Sequence, residues 1–138
     1  MKRRILRVLL LASAAAWGVS VVGVFLPWDV AVTALQGLGA RAIPTDPMLD
    51  YWMRMASGAF FGVGVFFLML AWRPDAFANV IPLAGGLMLL EGITLAVHGL
   101  RLHLRPFPFW ADTAFCLFVG AGIVALSMRT SESAGGKG

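Results

Sequence analysis

Residues 51–72 of the chain read YWMRMASGAFFGVGVFFLMLAW. The stretch is close to the roughly 20 apolar residues with which an α-helix crosses about 30 Å of hydrocarbon, and Arg54 is its only charged member. Its apolar residues follow one another without the alternation that the strands of a membrane β-barrel show. The stretch therefore predicts a transmembrane helix.

Three further segments of similar character predict a bundle of four transmembrane helices. The predicted helices cover residues 5–26, 51–72, 79–105 and 110–128. Of the 138 residues, 59% are hydrophobic and 13% charged, against about 45–50% and about 25% in soluble domains. We therefore predict an all-α four-helix transmembrane domain, residues 1–128, followed by a disordered polar tail, residues 129–138.

Lysine and arginine residues are unevenly distributed around these segments, which predicts the orientation of the bundle. With the N-terminus inside, the cytoplasmic flanks hold Lys2, Arg3, Arg4, Arg7, Arg73, Arg129 and Lys137. We therefore expect both termini to be cytoplasmic. Despite the net charge of +4, the basic residues form no solvated patch with interleaved aromatics, so we expect no nucleic-acid partner.

The first segment also begins like a secretory signal, with a basic start and the small residues Ser13 to Ala16. Its apolar run continues to Phe25 and Leu26, beyond the length of a signal's apolar region. A membrane-spanning helix is therefore the preferred interpretation, and a cleaved leader is the alternative.

The connection between the first and second segments is the longest in the chain. Asp29 is placed to cap a short helix there, in which Val32, Leu35 and Leu38 would share one face. This pattern is typical of a helix lying along a membrane interface. We predict a short interfacial helix in this external loop, acting either as a surface loop tucked onto the bundle or as a lid.

Several ionisable residues fall at membrane depth, where a charge costs roughly 2.5–3.5 kcal/mol unless it has a partner or a wet cavity. Glu91 is the deepest of them. A third helix that reached residue 105 would carry five polar residues on one stripe about 80° wide. These residues are Glu91, Thr94, His98, Arg101 and Arg105.

Arg54 enters from the outer end of the second helix and Asp112 from the outer start of the fourth. The estimated depths of Arg54 and Glu91 differ by about 5 Å, which an arginine side chain can span. We therefore predict an ion pair between Arg54 and Glu91 inside the bundle, with Thr94, His98 and Asp112 close to it. This cluster would either brace the helices or form an outward-opening pocket, in which Glu91 would bind a ligand or titrate.

Transmembrane helices pack through small residues, because these allow the backbones to approach closely. Gly58 and Gly62 form a GxxxG pattern in the second helix, and the third helix offers Gly85 and Gly92. We predict that these four glycines are packing positions, either within the monomer or between copies in a homo-oligomer.

Basic and aromatic residues surround the start of the fourth helix on the predicted outer side. Aromatic residues gather at the headgroup level of a bilayer, and arginines beside them can meet lipid phosphates. We therefore predict lipid headgroup contacts for Arg101, Arg105 and Trp110.

No motif in the sequence indicates a metal, a cofactor or a catalytic centre. His98 and His103 lack the i, i+4 spacing of a helical metal site, and Cys116 lies alone in an apolar stretch that predicts an inert thiol. Nucleotide-binding loops and nucleophile elbows are absent from the sequence. We therefore expect no metal and no cofactor, name no catalytic residue, and favour a non-enzymatic role.

The chain resembles a family of small bacterial four-helix membrane proteins, domain of unknown function 4345. The likeness rests on Leu26-Pro27, Leu35-Gln36-Gly37, Tyr51, Arg54, Gly58, Gly62 and Arg73-Pro74. The resemblance implies the four-helix architecture and a location in a bacterial inner membrane, and it implies no activity. Glu91 and the stretch from Arg101 to Arg105 are not part of the pattern that carries it.

The preferred hypothesis is a binding or accessory protein of the lipid bilayer, with an outward-facing polar pocket for a lipid or a small apolar ligand. One alternative is a proton-coupled transporter of small molecules that uses Glu91. The other is an intramembrane enzyme acting on a lipid or isoprenoid, with Glu91 as acid or base. A bound molecule between the helices would favour binding or catalysis, and a fully paired cluster would favour a brace.

Overall fold

The computed structural model describes the backbone of residues 1–135 and the side chains of residues 1–128. Within this part of the chain every regular element is a helix, which confirms the all-α prediction. The helices are α1 (Lys2–Gly18), α2 (Val21–Phe25), α3 (Trp28–Gly37), α4 (Pro47–Trp72), α5 (Ile81–Arg101) and α6 (Pro106–Gly135).

Four helical stretches are long and apolar enough to cross a membrane, as predicted. They are Lys2–Phe25, Pro47–Trp72, Ile81–Arg101 and Pro106–Met128. α1 and α2 together make the first, because Val19 and Ser20 between them keep right-handed helical backbone angles. The four stretches indicate an integral membrane protein.

The outward face of α5 shows why lipid suits this bundle. Leu83, Leu87, Leu90 and Val97 recur at helical spacing, and each is more than half exposed. A soluble monomer rarely exposes so continuous an apolar stripe to water, whereas hydrocarbon solvates it without penalty. Helices satisfy their own backbone hydrogen bonds, as a chain in lipid requires.

α4 begins before the predicted residue 51 because its first turn is capped. The Asp46 carboxylate accepts a hydrogen bond from the Met48 backbone N–H at 2.8 Å. Pro47 follows in the first turn, where its missing N–H has no intrahelical role. The cap therefore extends α4 into the loop that leads to it.

α5 ends at Arg101, so the prediction that the third helix continues to residue 105 is wrong. His103 adopts a positive φ of 51°, and the Leu104 N–H donates to the Gly99 carbonyl at 3.1 Å. The His103 N–H donates to Leu100 at 3.2 Å, which completes a Schellman closure of the helix. Arg105 consequently lies off the helix on which the polar stripe was predicted.

The helices pack in the spatial order α4, α1, α6, α5. Close packing joins α1 to α4, α1 to α6 and α5 to α6, whereas α4 and α5 are not among the extensively packed pairs. Contacts of Arg7 with the Ala71 carbonyl (3.0 Å) and of Arg3 with Asp75 bring the start of α1 to the end of α4. We call this the terminal end of the bundle, and the end that carries α3 the loop end.

The buried core lies toward the terminal end. Leu10 of α1, Leu70 of α4 and Ile123 of α6 are fully buried there, beside Ile81 at the start of α5. Because the largest buried side chains gather at this end, the rest of the interface between α4 and α5 is left less filled.

The chain around α6 differs from the prediction at both ends. The helix begins at Pro106 rather than residue 110, although Phe107 has non-helical angles. At the other end the helical backbone continues to Gly135, through residues for which the sequence predicts a disordered tail. The last three positions of that predicted tail, 136–138, lie outside the described residues.

Candidate functional site

Two adjoining cavities lie between α4 and α5, above α1. The first has a volume of about 250 Å³, and Glu91 is the only charged residue in its wall within the described part of the chain. Phe60, Val63 and Phe66 of α4 face Leu87 and Met88 of α5 across it, and Trp17 of α1 forms its floor. This cavity offers a space suited to an alkyl chain.

The second cavity, of about 260 Å³, lies nearer the loop end and reaches α6. Two carboxylates line it, Glu91 and Asp112, together with the aromatic rings of Trp17, Phe60 and Phe115. Trp17, Phe60 and Glu91 also line the apolar cavity, so the two spaces adjoin at these three residues. The Trp17 and Phe60 rings contact each other, with centroids 5.2 Å apart.

The sparse packing between α4 and α5 explains why the cavities open sideways toward the bilayer. Phe60 is 45% exposed and Leu87 is 55% exposed, although both line the apolar cavity. Large side chains on both helices therefore stand at the edges of the gap instead of closing it. A molecule dissolved in the membrane can reach the space without crossing an aqueous phase.

Glu91 lies about 15 Å along α5 from Arg101, given a rise of about 1.5 Å per residue. This distance places the carboxylate near the middle of the span, where an unpaired charge is costly. Among the side chains of residues 1–128, none forms an ion pair or hydrogen bond with Glu91 or Asp112. Among the residues whose side chains are described, no basic one lines either cavity.

Two buried polar atoms close to these carboxylates are also without partners. The indole Nε1 of Trp17 and the hydroxyl of Thr113, which follows Asp112 in α6, make no hydrogen bond in the described part of the chain. An unsatisfied buried donor costs about 1–3 kcal/mol. Trp17 lines the polar cavity, so the fold leaves the hydrogen-bonding capacity of its Nε1 unused there.

The predicted ion pair between Arg54 and Glu91 is wrong. Arg54 pairs instead with Asp50, one turn earlier on α4, with Nη2 2.9 Å from the carboxylate Oδ1. Its Nη1 donates to the Val24 carbonyl at 2.7 Å, in the last turn of α2, where carbonyls have no intrahelical partner. Asp50 on the same helix and the end of α2 therefore satisfy this guanidinium, which makes no contact with Glu91.

The remaining members of the predicted polar cluster do not line the cavities. Thr94 is exposed, and its hydroxyl donates to the Leu90 carbonyl of its own helix at 2.9 Å. His98 is exposed at the loop end of α5. The structure therefore brings together only Glu91 and Asp112 of the five residues predicted to form the site.

The residues predicted to meet lipid headgroups, Arg101, Arg105 and Trp110, are all exposed near the loop end. The Arg105 side chain lies across Gly39, whose φ of 109° favours glycine. A Cβ at Gly39 would come within 2.7 Å of the Arg105 Cδ. This contact joins the segment after α3 to the connection between α5 and α6.

The four predicted packing glycines have different surroundings. Gly85 and Gly92 of α5 face α6, where added Cβ atoms would lie 2.9 Å from Ile123 and 2.8 Å from Leu117. At Gly58 the nearest atom would be a Val24 methyl at 4.0 Å, and at Gly62 nothing lies within 4 Å. The GxxxG pair of α4 therefore marks no tight crossing within the monomer.

Sequence reasoning missed Trp17 and Phe60, which join the two cavities, and Phe115, which lines the polar one. The only signal for Trp17 was a single large ring in the run of small residues from Ala12 to Gly18 of the first helix. Phe60 and Phe115 look like any other lipid-facing aromatic residue in the sequence. Their role depends on the gap between α4 and α5, which no local pattern reveals.

Within the described residues, no three histidine, cysteine, aspartate or glutamate side chains lie together in a way that would hold a metal ion. Cys116 is buried, a turn below Asp112 on α6, and lines the polar cavity. In comparisons with known proteins, no family model, no curated protein and no solved structure matches this chain. Its function must therefore be argued from the cavities themselves.

Proposed function

We propose that this protein binds a lipid-like, amphipathic molecule from the bilayer, without acting on it chemically. The apolar part of the molecule lies in the cavity between Val63 and Leu87, and its polar part lies between Glu91 and Asp112. The observation that carries the proposal is the junction of an apolar cavity and an acidic cavity at Glu91, in a gap that opens to the membrane. The unpartnered Trp17 Nε1 at this junction supports it further, since a bound polar atom would satisfy that donor.

We further propose that both termini are cytoplasmic and that the acidic cavity lies in the outer half of the membrane. The basic residues at the terminal end of the bundle support this arrangement. We place the protein in a bacterial inner membrane, with α3 along the outer interface, and as a relative of domain of unknown function 4345. Homo-oligomers are compatible with the exposed, uncontacted Gly62 on α4.

Proton-coupled transport is the second candidate, and the unpaired carboxylate of Glu91 near mid-span favours it. Such a carboxylate can exchange a proton for a substrate. Reconstituted vesicles separate the two functions. Transport requires proton movement that Glu91→Gln abolishes, whereas a binding protein moves no protons before or after the change.

Tryptophan fluorescence tests the binding proposal directly, because Trp17 lies at the junction of the cavities. The other four of the five tryptophans are replaced by phenylalanine, and the full chain is placed in phosphatidylcholine nanodiscs. Phosphatidylcholine with brominated chains is then added as the quenching probe. We expect saturable quenching of Trp17 at low mole fractions of the brominated lipid.

A matched pair of variants shows whether the quenching lipid occupies the cavity. Val63 lines the apolar cavity and is 37% exposed, and Val65 on the same helix is 40% exposed but faces away from it. Val63→Phe should weaken the quenching affinity on the order of tenfold, or about 1.4 kcal/mol, by filling the space. Val65→Phe should leave it unchanged. Equal effects of the two substitutions, or quenching that never saturates, would reject the binding proposal.

A further inference from the structure

The charges around the cavities indicate which kind of head group a lipid-like ligand would carry. Glu91 and Asp112 both line the polar cavity, and no arginine, lysine or histidine within residues 1–128 does. Each of the two ion pairs in the described part of the chain has its acid elsewhere, with Asp50 bound to Arg54 and Asp75 to Arg3. Neither carboxylate of the polar cavity is therefore paired with a cation among the described residues.

We infer that the ligand is a cationic amphiphile, a single alkyl chain carrying an ammonium group, whose head lies between Glu91 and Asp112. This inference rests on the proposed function and specifies the chemistry of that same site. An ammonium head would pair with the half-buried carboxylate of Glu91 and the exposed one of Asp112, and at membrane depth such attractions are stronger than in water. An anionic head would be repelled there, and an uncharged head would leave the acids unpaired.

Aromatic rings around the same space strengthen the inference. Trp17, Phe60 and Phe115 line the polar cavity with the two acids. The face of an aromatic ring attracts cations by about 0.5–2 kcal/mol, and quaternary ammonium groups are commonly recognised between such rings. Phe60 and Trp17 lie against each other at a tilt of 52°, so they form one continuous aromatic wall beside Glu91.

The position of the apolar cavity fixes the direction of the ligand's alkyl chain. Glu91 and Leu95 lie toward the loop end, while Ala84 and Phe67, which line only the apolar cavity, lie toward the terminal end. A bound amphiphile therefore points its ammonium group toward the loop end and its alkyl chain toward the terminal end. It lies along the bundle between α4 and α5, where the two helices leave room for it.

Three amphiphiles with the same chain and different heads test the charge preference. Dodecyltrimethylammonium, dodecanol and dodecyl sulfate are added to the nanodiscs described above, with brominated phosphatidylcholine present, and recovery of Trp17 fluorescence measures its displacement. We expect the trimethylammonium compound to displace the brominated lipid at a mole fraction about tenfold lower than dodecanol. Dodecyl sulfate should be the weakest competitor.

Isosteric substitutions then identify the carboxylates responsible. Glu91→Gln and Asp112→Asn should each reduce the advantage of dodecyltrimethylammonium over dodecanol, and the double variant should remove it. Asp29→Asn is the matched control, because it removes the same charge from α3, outside the cavities. Asp29→Asn should preserve the advantage of dodecyltrimethylammonium over dodecanol. Dodecanol should bind all variants alike, which shows that the cavity itself is intact.

The outcomes separate this inference from the function on which it rests. If all three amphiphiles displace the brominated lipid equally, or if dodecyl sulfate is preferred, the cationic ligand is disproved while the lipid-binding cavity stands. If the brominated lipid never quenches Trp17 in a saturable manner, both proposals fail. Chemical cross-linking that shows a second copy of the chain seated in the gap would overturn the inference as well.

Discussion

The two sides of α5 are built from different residues and behave differently. Toward α6 the helix presents Gly85 and Gly92, and the backbones approach so closely that a methyl group would already be too large. Toward α4 it presents Leu87, Met88 and Glu91, which border open cavities. In a membrane no hydrophobic force closes such a gap, because lipid tails solvate its walls as well as protein does. Small residues thus close one side, and large ones leave the other accessible.

Gly64→Ala should have the largest effect, because Gly64 makes the closest approach to backbone atoms of a neighbouring helix. A Cβ at Gly64 of α4 would lie 2.5 Å from the Gly18 nitrogen and 3.0 Å from the Ala14 carbonyl oxygen of α1. These are backbone atoms, which cannot move away by changing rotamer as a side chain can. We therefore expect a loss of about 3 kcal/mol of unfolding free energy.

Gly62→Ala is the matched control for this change, because nothing lies within 4 Å of its added Cβ. It should be neutral or slightly stabilising through helix propensity. Unfolding by sodium dodecyl sulfate in mixed micelles, followed by tryptophan fluorescence, measures both variants. Equal stability of the two would contradict the close crossing of α1 and α4.

Arg54→Gln should have the next largest effect, since Arg54 connects packed elements rather than bordering the gap. It removes the charge-assisted bond to the Val24 carbonyl and leaves Asp50 without its cation. We expect a loss of about 2 kcal/mol by the same unfolding assay. Asp50→Asn should reduce the additional effect of Arg54→Gln, because the two residues form one pair. If the effects of the two changes simply add, the pair does not exist in the membrane.

Gly85→Ala tests the closed side of α5 itself. Its Cβ would come within 2.9 Å of side-chain methyl groups of Ile123 and Val124, which can shift more easily than backbone. We therefore expect a smaller loss, about 1 kcal/mol. Gly86→Ala, with nothing within 4 Å, is its control. A Gly85→Ala variant as stable as Gly86→Ala would show that α5 and α6 are looser than described.

The spans were predictable from the sequence, and the partners of their polar residues were not. Length and apolar composition are local properties, so the four helices followed from them directly. The predicted end of α5 was too late, because His103 adopts a left-handed conformation that the presence of Pro106 nearby does not indicate. Pro106 indicates the last position that the helix could reach. The Schellman motif ends the helix before that position.

The site could be predicted only in part, for a reason visible at Arg54. Depth estimates placed Arg54 near Glu91, but they ignore which helices are neighbours, and α4 packs on α1 and α2 instead of α5. Glu91 and Asp112 were recognised because ionisable residues in a membrane segment are rare. The aromatic residues that complete the cavity carry no such signal, since aromatic residues are common on lipid-facing surfaces.

Glu91→Gln should have the smallest effect on stability, because it lies on the open side of α5. No described side chain pairs with Glu91, so its substitution breaks no bond and removes an unpaired charge from the span, and the unfolding free energy should fall by less than about 0.5 kcal/mol, if it falls at all. The comparison with Arg54→Gln distinguishes a binding site from a structural ion pair. Removing either member of a structural pair lowers the unfolding free energy of the protein. A loss at Glu91 as large as that at Arg54 would mean that the carboxylate has a partner in the membrane, and the acidic cavity would then be a structural pair rather than a binding site.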